Sequence, residues 1–286
     1  MAGTKIDGLL VSAKIRQQVK MAAEELKAKN IQPCLATVLV GDNPASATYV
    51  KNKQKACAEV GITTKDHKLA GSTTQSELNS LIDTLNKDPE VHGILVQLPL
   101  PSQCSEFETT SRISPQKDVD GLTPQNSGLL SMKKAVLVAC TPSGVMELLS
   151  HYSIPLQGKN VVIINRSNLV GKPLIHLLLE KNATVTVAHS KTENLEEICK
   201  NADIIITGVG DRTKFTLSPD MISDNAIVID VATARLDGKL VGDCDYEKII
   251  QKASFASPVP GGVGPMTIAM LLKNTVTAAS LYHGRN

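Results

Sequence analysis

The chain lacks the marks of several protein classes, and each absence narrows what it does. No apolar run approaches the roughly 18 residues needed to cross a bilayer. Met1-Ala-Gly-Thr-Lys5 leads into no unbroken apolar stretch of the kind that directs secretion, so a cytoplasmic protein is expected. Thirty lysines and arginines against 28 acids leave a net charge of +2, which gives no reason to expect a nucleic-acid footprint or a polybasic membrane patch. The six cysteines, at 34, 57, 104, 140, 199 and 244, include no C-x-x-C pair; neither a zinc site nor a redox motif is indicated, and no metal is expected. There is no low-complexity linker and no internal repeat. What remains is small-molecule chemistry on a globular scaffold.

At 286 residues, 42% hydrophobic and 20% charged, the chain is long enough for one large or two ordinary α/β domains. Ile15, Val19, Ala22 and Leu26 share a face of a helix running from Val11 to Lys29. Cys34 to Val40 reads as a strand, Gly41-Asp42-Asn43-Pro44 as a turn, and Ala45 to Val60 as a helix that Gly61 stops. Thr74 and Glu77 form a capping-box pattern, and Gly93 to Leu98 is a strand of the fully buried type. The second half repeats the alternation: strands over Val161 to Asn165, Thr184 to Ala188, Ile204 to Thr207 and Ile227 to Val231, with helices over Lys172 to Lys181 and Leu195 to Lys200. The expected class is therefore α/β, two domains each with a mostly parallel sheet and flanking helices, the C-terminal one Rossmann-like. The boundary falls near Ala139 to Ser150 and is crossed by a helix. The last helix, from Thr267 onward, is expected to return to the first domain.

The turn after the strand ending at Ile164 reads Asn165-Arg166-Ser167-Asn168-Leu169-Val170-Gly171-Lys172-Pro173 and opens a helix, an arrangement that presents backbone N–H groups to phosphate. The G-x-G-x-x-G fingerprint is absent. An NAD-specific site places an acid after the second strand, whereas here the segment is His189-Ser190-Lys191-Thr192. Arg166, with Ser167, Ser190 and Lys191, could instead hold a 2′-phosphate, which favours NADP; the alternative is that Arg166 is a solvated surface charge.

Tyr49 and Lys53 share one helix face, continued by Ala56 and Val60, and burial there would disfavour a charged amine. Periodicity alone favours a structural lysine that snorkels. Gln97, polar between apolar neighbours, sits at the carboxyl end of a parallel strand, either satisfied by backbone or facing a ligand. Lys117-Asp118-Val119-Asp120-Gly121-Leu122 fits a surface turn or, weakly, a cation site. In Ser257-Pro258-Val259-Pro260-Gly261-Gly262-Val263-Gly264-Pro265-Met266-Thr267, prolines fix φ and glycines allow close backbone approach, so the segment is either shaped to meet a flat ligand with its main chain or is a rigid turn before a helix. Pro99 and Pro260 are the first places to look for cis bonds.

In this order and at this spacing, Tyr49-x-x-x-Lys53, Val96-Gln97-Leu98-Pro99-Leu100-Pro101, the Asp118–Asp120 turn, Cys140-Thr141-Pro142, the Arg166-Ser167 loop and the Pro258–Thr267 segment resemble the methylenetetrahydrofolate dehydrogenase/cyclohydrolase family over nearly the whole chain. The resemblance implies NADP-dependent oxidation of 5,10-methylenetetrahydrofolate, then hydrolysis to 10-formyltetrahydrofolate. Runner-up readings are a dehydrogenase without the cyclohydrolase, and a folate- or NADP-binding protein without turnover. It further implies a folate-binding catalytic domain over 1–140, with helix 267–286 packing back on it, an NADP domain over 141–266, and a homodimer. In this scheme Lys53 is the catalytic lysine, Gln97 tunes it, Tyr49 stacks on the folate, and Asp120 anchors the pterin. Leu98, Pro260, Gly261 and Gly262 also touch substrate, the last three on the floor beside the nicotinamide. Asn165, Arg166, Ser167, Ser190, Thr141, Val231, Gly264 and Thr267 bind the cofactor. The chain departs from the family twice. Asn165 stands where Gly is usual, and is expected to keep the turn by tolerating a left-handed conformation; Val231-Ala232-Thr233-Ala234 replaces Val-Gly-Ile-Asn.

Overall fold

A computed structural model describes residues 2–236 and 238–284. In chain order the elements are β1 (Thr4–Lys5), α1 (Gly8–Ala28), β2 (Cys34–Val40), α2 (Pro44–Val60), β3 (Thr63–Leu69), α3 (Gln75–Lys87), β4 (Gly93–Val96), α4 (Glu106–Arg112), α5 (Pro124–Ser131), α6 (Cys140–His151), β5 (Asn160–Ile164), α7 (Gly171–Glu180), β6 (Thr184–Ala188), α8 (Leu195–Lys200), β7 (Ile204–Thr207), β8 (Ile227–Asp230), β9 (Ala234–Leu236), β10 (Lys239–Val241), α9 (Tyr246–Lys252), β11 (Phe255–Ala256) and α10 (Val263–His283). They form two compact units. One comprises Lys14–Cys140 and the chain from Ile268 onward; the other comprises the chain up to Ala13 and Thr141–Thr267. Residues 285 and 286 of the expected last helix lie outside the described residues.

The first unit is built on a parallel sheet of order β3-β2-β4. β2 is buried at every position, as its unbroken apolar run demands. β3, Thr-Thr-Lys-Asp-His-Lys-Leu, is an edge strand that carries charge outward and is invisible to an apolar pattern. Local chemistry sets the helix ends. Asn43 accepts from the amides of Ala45 and Ser46 to start α2, and Gly61 ends it at φ 81°. The Thr74–Glu77 capping box starts α3, whose Leu78, Ile82 and Leu85 pack with Ala36, Val38, Ile94 and Val96 into one core.

The second unit carries a parallel six-stranded sheet, β1-β11-β8-β7-β5-β6. β5 leads through α7 to β6 on one side, and the chain then returns through α8 to β7 on the other side of β5. The strand order therefore reverses between β5 and β7, and a sheet of this kind takes its ligand in the crevice at the carboxyl ends there. Val162, Ile164, Ile205, Val228 and Ile249 lie in its core.

Candidate active site

The first set of candidate residues lies in the unit containing β2. Ser46, Val50, Lys53, Cys57 and Val60 form the buried stripe of α2, and Tyr49 sits at its edge, 46% exposed. Lys53 is only 8% exposed, and its Nζ donates to Gln97 Oε1 at 3.1 Å. Gln97 is carried just past the end of β4 by its own amide, which donates to Val38 O at 2.9 Å. Its Nε2 donates to Leu98 O at 2.7 Å, which fixes the side-chain amide so that the oxygen faces the lysine. The Leu98–Pro99 bond is cis.

The acidic turn is placed beside the same strand: Ile94 N donates to Lys117 O at 2.8 Å. Its two carboxylates have separate tasks. Asp118 is buried and accepts from Leu122 N, Thr123 N and Asn126 Nδ2, so it builds the turn. Gly121, at φ 71°, is obligatory, because a Cβ there would lie 2.3 Å from Ala139 N. Asp120 is the carboxylate left over. Burial pushes its carboxyl up from the usual range, against the opposing pull of the Lys53 charge. Cys140 is a packing residue: burial drives its thiol well up, and Sγ donates to Val119 O at 3.3 Å.

The second set lies at the switch-point crevice. Ile164, the last residue of β5, pairs with Ala188, the last residue of β6, so the turns that carry Arg166 and Ser190 both leave the sheet at the carboxyl ends of neighbouring strands. Arg166 is exposed and its guanidinium has no partner among the described residues. Residues 189–192 carry no acid. An exposed fork at the carboxyl ends of these strands fits the 2′-phosphate of NADP, and an acid that would accept from a free ribose hydroxyl is missing from residues 189–192.

Asn165 corrects the expectation made for it. It is not among the residues of positive φ. Its carboxamide, rather than its backbone, organises the turn: Oδ1 accepts from Ser167 N at 2.8 Å, Ser167 Oγ at 2.8 Å and Gly171 N at 3.0 Å, and Nδ2 donates to Gly208 O. The side chain thus ties the end of β5 to the start of α7 and to the loop after β7.

Thr141 and Thr267, far apart in sequence, meet through their hydroxyls at 2.9 Å. Val231 follows β8, its amide donating to Thr207 O at 2.8 Å. Val259–Pro260 is cis. Gly261 adopts φ 100°, and Gly262 has no space for a Cβ, which would lie 2.5 Å from Pro258 O. These two glycines are therefore required by the segment's own turn. Gly264, in the first turn of α10, faces open space.

Two buried acids escaped the sequence reading. Asp230 accepts from Ala232 N at 3.0 Å and Cys244 N at 2.8 Å, and burial pushes its carboxyl up to about 6. Asp243 receives three donors from β7 and the loop after it. In sequence each is an acid at the end of a strand or turn, where a solvated side chain is the ordinary reading; only the position of Gly242, which has no space for a Cβ 2.2 Å from Asp230 Oδ2, signals the crowding.

Comparison with known proteins gives a consistent result. The family model for the tetrahydrofolate dehydrogenase/cyclohydrolase catalytic domain matches residues 6–120, and that for the NAD(P)-binding domain of the same family matches 139–283. The bifunctional protein FolD of Nitrosopumilus maritimus is 72% identical, the match covering 98% of each chain. The crystal structure of the bifunctional FolD methylenetetrahydrofolate dehydrogenase/cyclohydrolase from Campylobacter jejuni superposes with a TM-score of 0.95 at 49% identity, covering 98% of this chain and 99% of that one. A Trypanosoma brucei methylenetetrahydrofolate dehydrogenase-cyclohydrolase complexed with NADP and an inhibitor has a TM-score of 0.93 at 35% identity, covering 98% of each chain.

Proposed function

We propose how this chain, which belongs to the tetrahydrofolate dehydrogenase/cyclohydrolase family, divides that family's two reactions among its residues. The protein is a bifunctional enzyme that oxidises 5,10-methylenetetrahydrofolate to the 5,10-methenyl compound with NADP, then hydrolyses that to 10-formyltetrahydrofolate. The nicotinamide supplies the hydride acceptor. Loss of hydride from the methylene carbon leaves a cationic methenyl bridge, to which water adds.

Lys53 serves the water step. Its Nζ takes and returns the proton as water adds and the ring opens, and the contact with Gln97 Oε1 aims it. Asp120, whose ionisation burial disfavours, anchors the pterin by hydrogen bonding. Tyr49 offers its exposed ring to the aromatic part of the folate, and Leu98 is assigned to the same ligand. On the cofactor side, Arg166 and Ser190 hold the 2′-phosphate, while Asn165 and Ser167 shape the turn that bears the charge. Thr141, Val231, Gly264 and Thr267 receive the nicotinamide half, with Pro260, Gly261 and Gly262 as the floor beside it.

In this scheme the unit of residues 14–140 and the last helix from Ile268 binds folate, and residues 141–266, whose unit also takes in the chain up to Ala13, bind NADP. The protein acts as a homodimer in the cytoplasm, a reading that rests on its family. The buried Lys53 amine on Gln97 carries the assignment of the cyclohydrolase step. The test is an assay of purified protein with 5,10-methylenetetrahydrofolate and either NADP+ or NAD+, following reduced nucleotide and 10-formyl product. NADPH and 10-formyltetrahydrofolate are expected together; no reduced nucleotide with either cofactor would sink the dehydrogenase reading.

A further inference from the structure

We propose that Asp243 is a positioning residue for NADP, acting by bracing the loop Gly208-Val209-Gly210 at one side of the switch-point crevice. The inference rests on the reading that this unit binds the nucleotide there.

Asp243 is fully buried between β10 and α9. One carboxylate oxygen accepts from the Thr207 hydroxyl at 2.6 Å and from Val209 N at 2.7 Å, and the other accepts from Gly210 N at 2.9 Å. All three donors belong to the end of β7 and the loop leaving it. A carboxylate removed from water needs such donors, and charge-assisted bonds to backbone amides are among the stronger ones a protein makes. Gly210 adopts φ 72°, with open space where a Cβ would stand, so glycine is used there for its backbone conformation and not for room.

The carboxylate is itself held firmly. Leu217 N donates to Asp243 O at 2.9 Å, the next residue donates from Cys244 N to Asp230, and Gly242 passes too close to Asp230 for any side chain. Arg212 reaches the same turn, Nη1 donating to Gly242 O at 3.3 Å.

The braced loop is joined to the phosphate-side turn. Gly208 O accepts from Asn165 Nδ2, and Asn165 Oδ1 holds Ser167 and the first amide of α7. The path from Asp243 through residues 208–210 and Asn165 to Ser167 spans the crevice between β5 and β7. Release of the carboxylate frees one wall directly and slackens the turn carrying Arg166 through it. Asp243 itself lies behind the loop, so its effect is on nucleotide binding and not on the hydride step.

Asp243→Asn keeps the shape but turns an N–H toward donors that faced a carboxylate oxygen, and Thr207→Val removes one donor only. NADP+ is titrated calorimetrically into the full-length wild type and both variants, and KM and kcat are measured in the dehydrogenase assay. The expected result is a Kd and KM for NADP+ raised about tenfold or more in D243N and about threefold in T207V, with kcat at saturating nucleotide changed less than about twofold. A folded D243N with the wild-type Kd, or a loss confined to kcat, would overturn the proposal. Should D243N not fold, T207V decides: a wild-type Kd there overturns it. A wild type that fails to bind NADP+ would instead strike the underlying reading.

Discussion

Lys53 and Arg166 are both cations assigned to the enzyme's work, and they sit in opposite surroundings. Lys53 is nearly buried on α2, with its amine already committed to Gln97 Oε1. Arg166 is exposed on the turn after β5 and has no partner among the described residues. The difference follows from their tasks. A group that moves a proton needs a fixed geometry and a defined set of neighbours, since its partner atom changes during reaction. A group that captures a phosphate needs only a rigid turn behind it and a free fork in front, because the ligand brings the opposite charge.

The comparison extends to two acids, half-buried Asp120 and buried Asp230. Burial raises the carboxyls of both Asp120 and Asp230, but Asp120 has the Lys53 charge opposing that shift, whereas Asp230 has mainly backbone amides. An acid near a cation can serve a ligand; one ringed by amides of its own fold holds loops together.

The sharpest break of this comparison is Lys53→Met, which removes the amine and keeps the apolar stem. Methenyl hydrolysis is expected to fall by about a hundred- to ten-thousand-fold; a wild-type hydrolysis rate would show the assigned role to be wrong. Arg166→Ala comes next. NADP+ binding should weaken by about 1.5–3 kcal/mol while NAD+ is spared, as measured by calorimetry. Equal losses for the two nucleotides would point to general damage of the turn.

Asp230 gives a smaller effect with a defined pH window. Its carboxyl stands at about 6 in the fold against 3.8 for an ordinary aspartate, so the native state holds the proton more tightly than the unfolded chain. Stability relative to Asp230→Asn should therefore increase as pH falls through about 6 to about 4, by about 3 kcal/mol in all, and level off well above and well below that window. Denaturant melts of the two proteins at matched pH give the difference; a flat difference would refute the shift. Smallest is Arg166→Lys, which keeps the charge and loses the planar fork. A loss of about 1 kcal/mol in NADP+ affinity is expected, and a loss as large as that of the alanine variant would mean that geometry alone matters.

Much of the fold is legible in the sequence. β2, β6, α8 and β7 run over the residues that their patterns predict, and the Thr74–Glu77 box and the Gly61 stop act as read. These signals are local: a run of apolar residues, a cap, a breaker. β3 carries no such signal, because Thr-Thr-Lys-Asp-His-Lys-Leu is a polar edge strand held in place by pairing with β2. β1 and β11 are two residues each and exist because parallel partners receive them. The turn at Asn165 is held by its side chain and not by a left-handed backbone, since what Oδ1 accepts and Nδ2 donates to depends on where Gly171 and Gly208 come to lie.

The candidate site divides in the same way. That Tyr49 and Lys53 share a helix, that Gln97 ends a strand and that Arg166 follows one were consequences of periodicity and turn chemistry, which act over a few residues and so are written in the sequence. That Lys53 meets Gln97, that Asp118 is consumed by its own turn while Asp120 is not, and that Asp243 stands behind the loop after β7 were decided only in three dimensions. The physical reason is that a buried polar group must find its partner wherever the packed chain places one, and such partners lie tens to more than a hundred residues away.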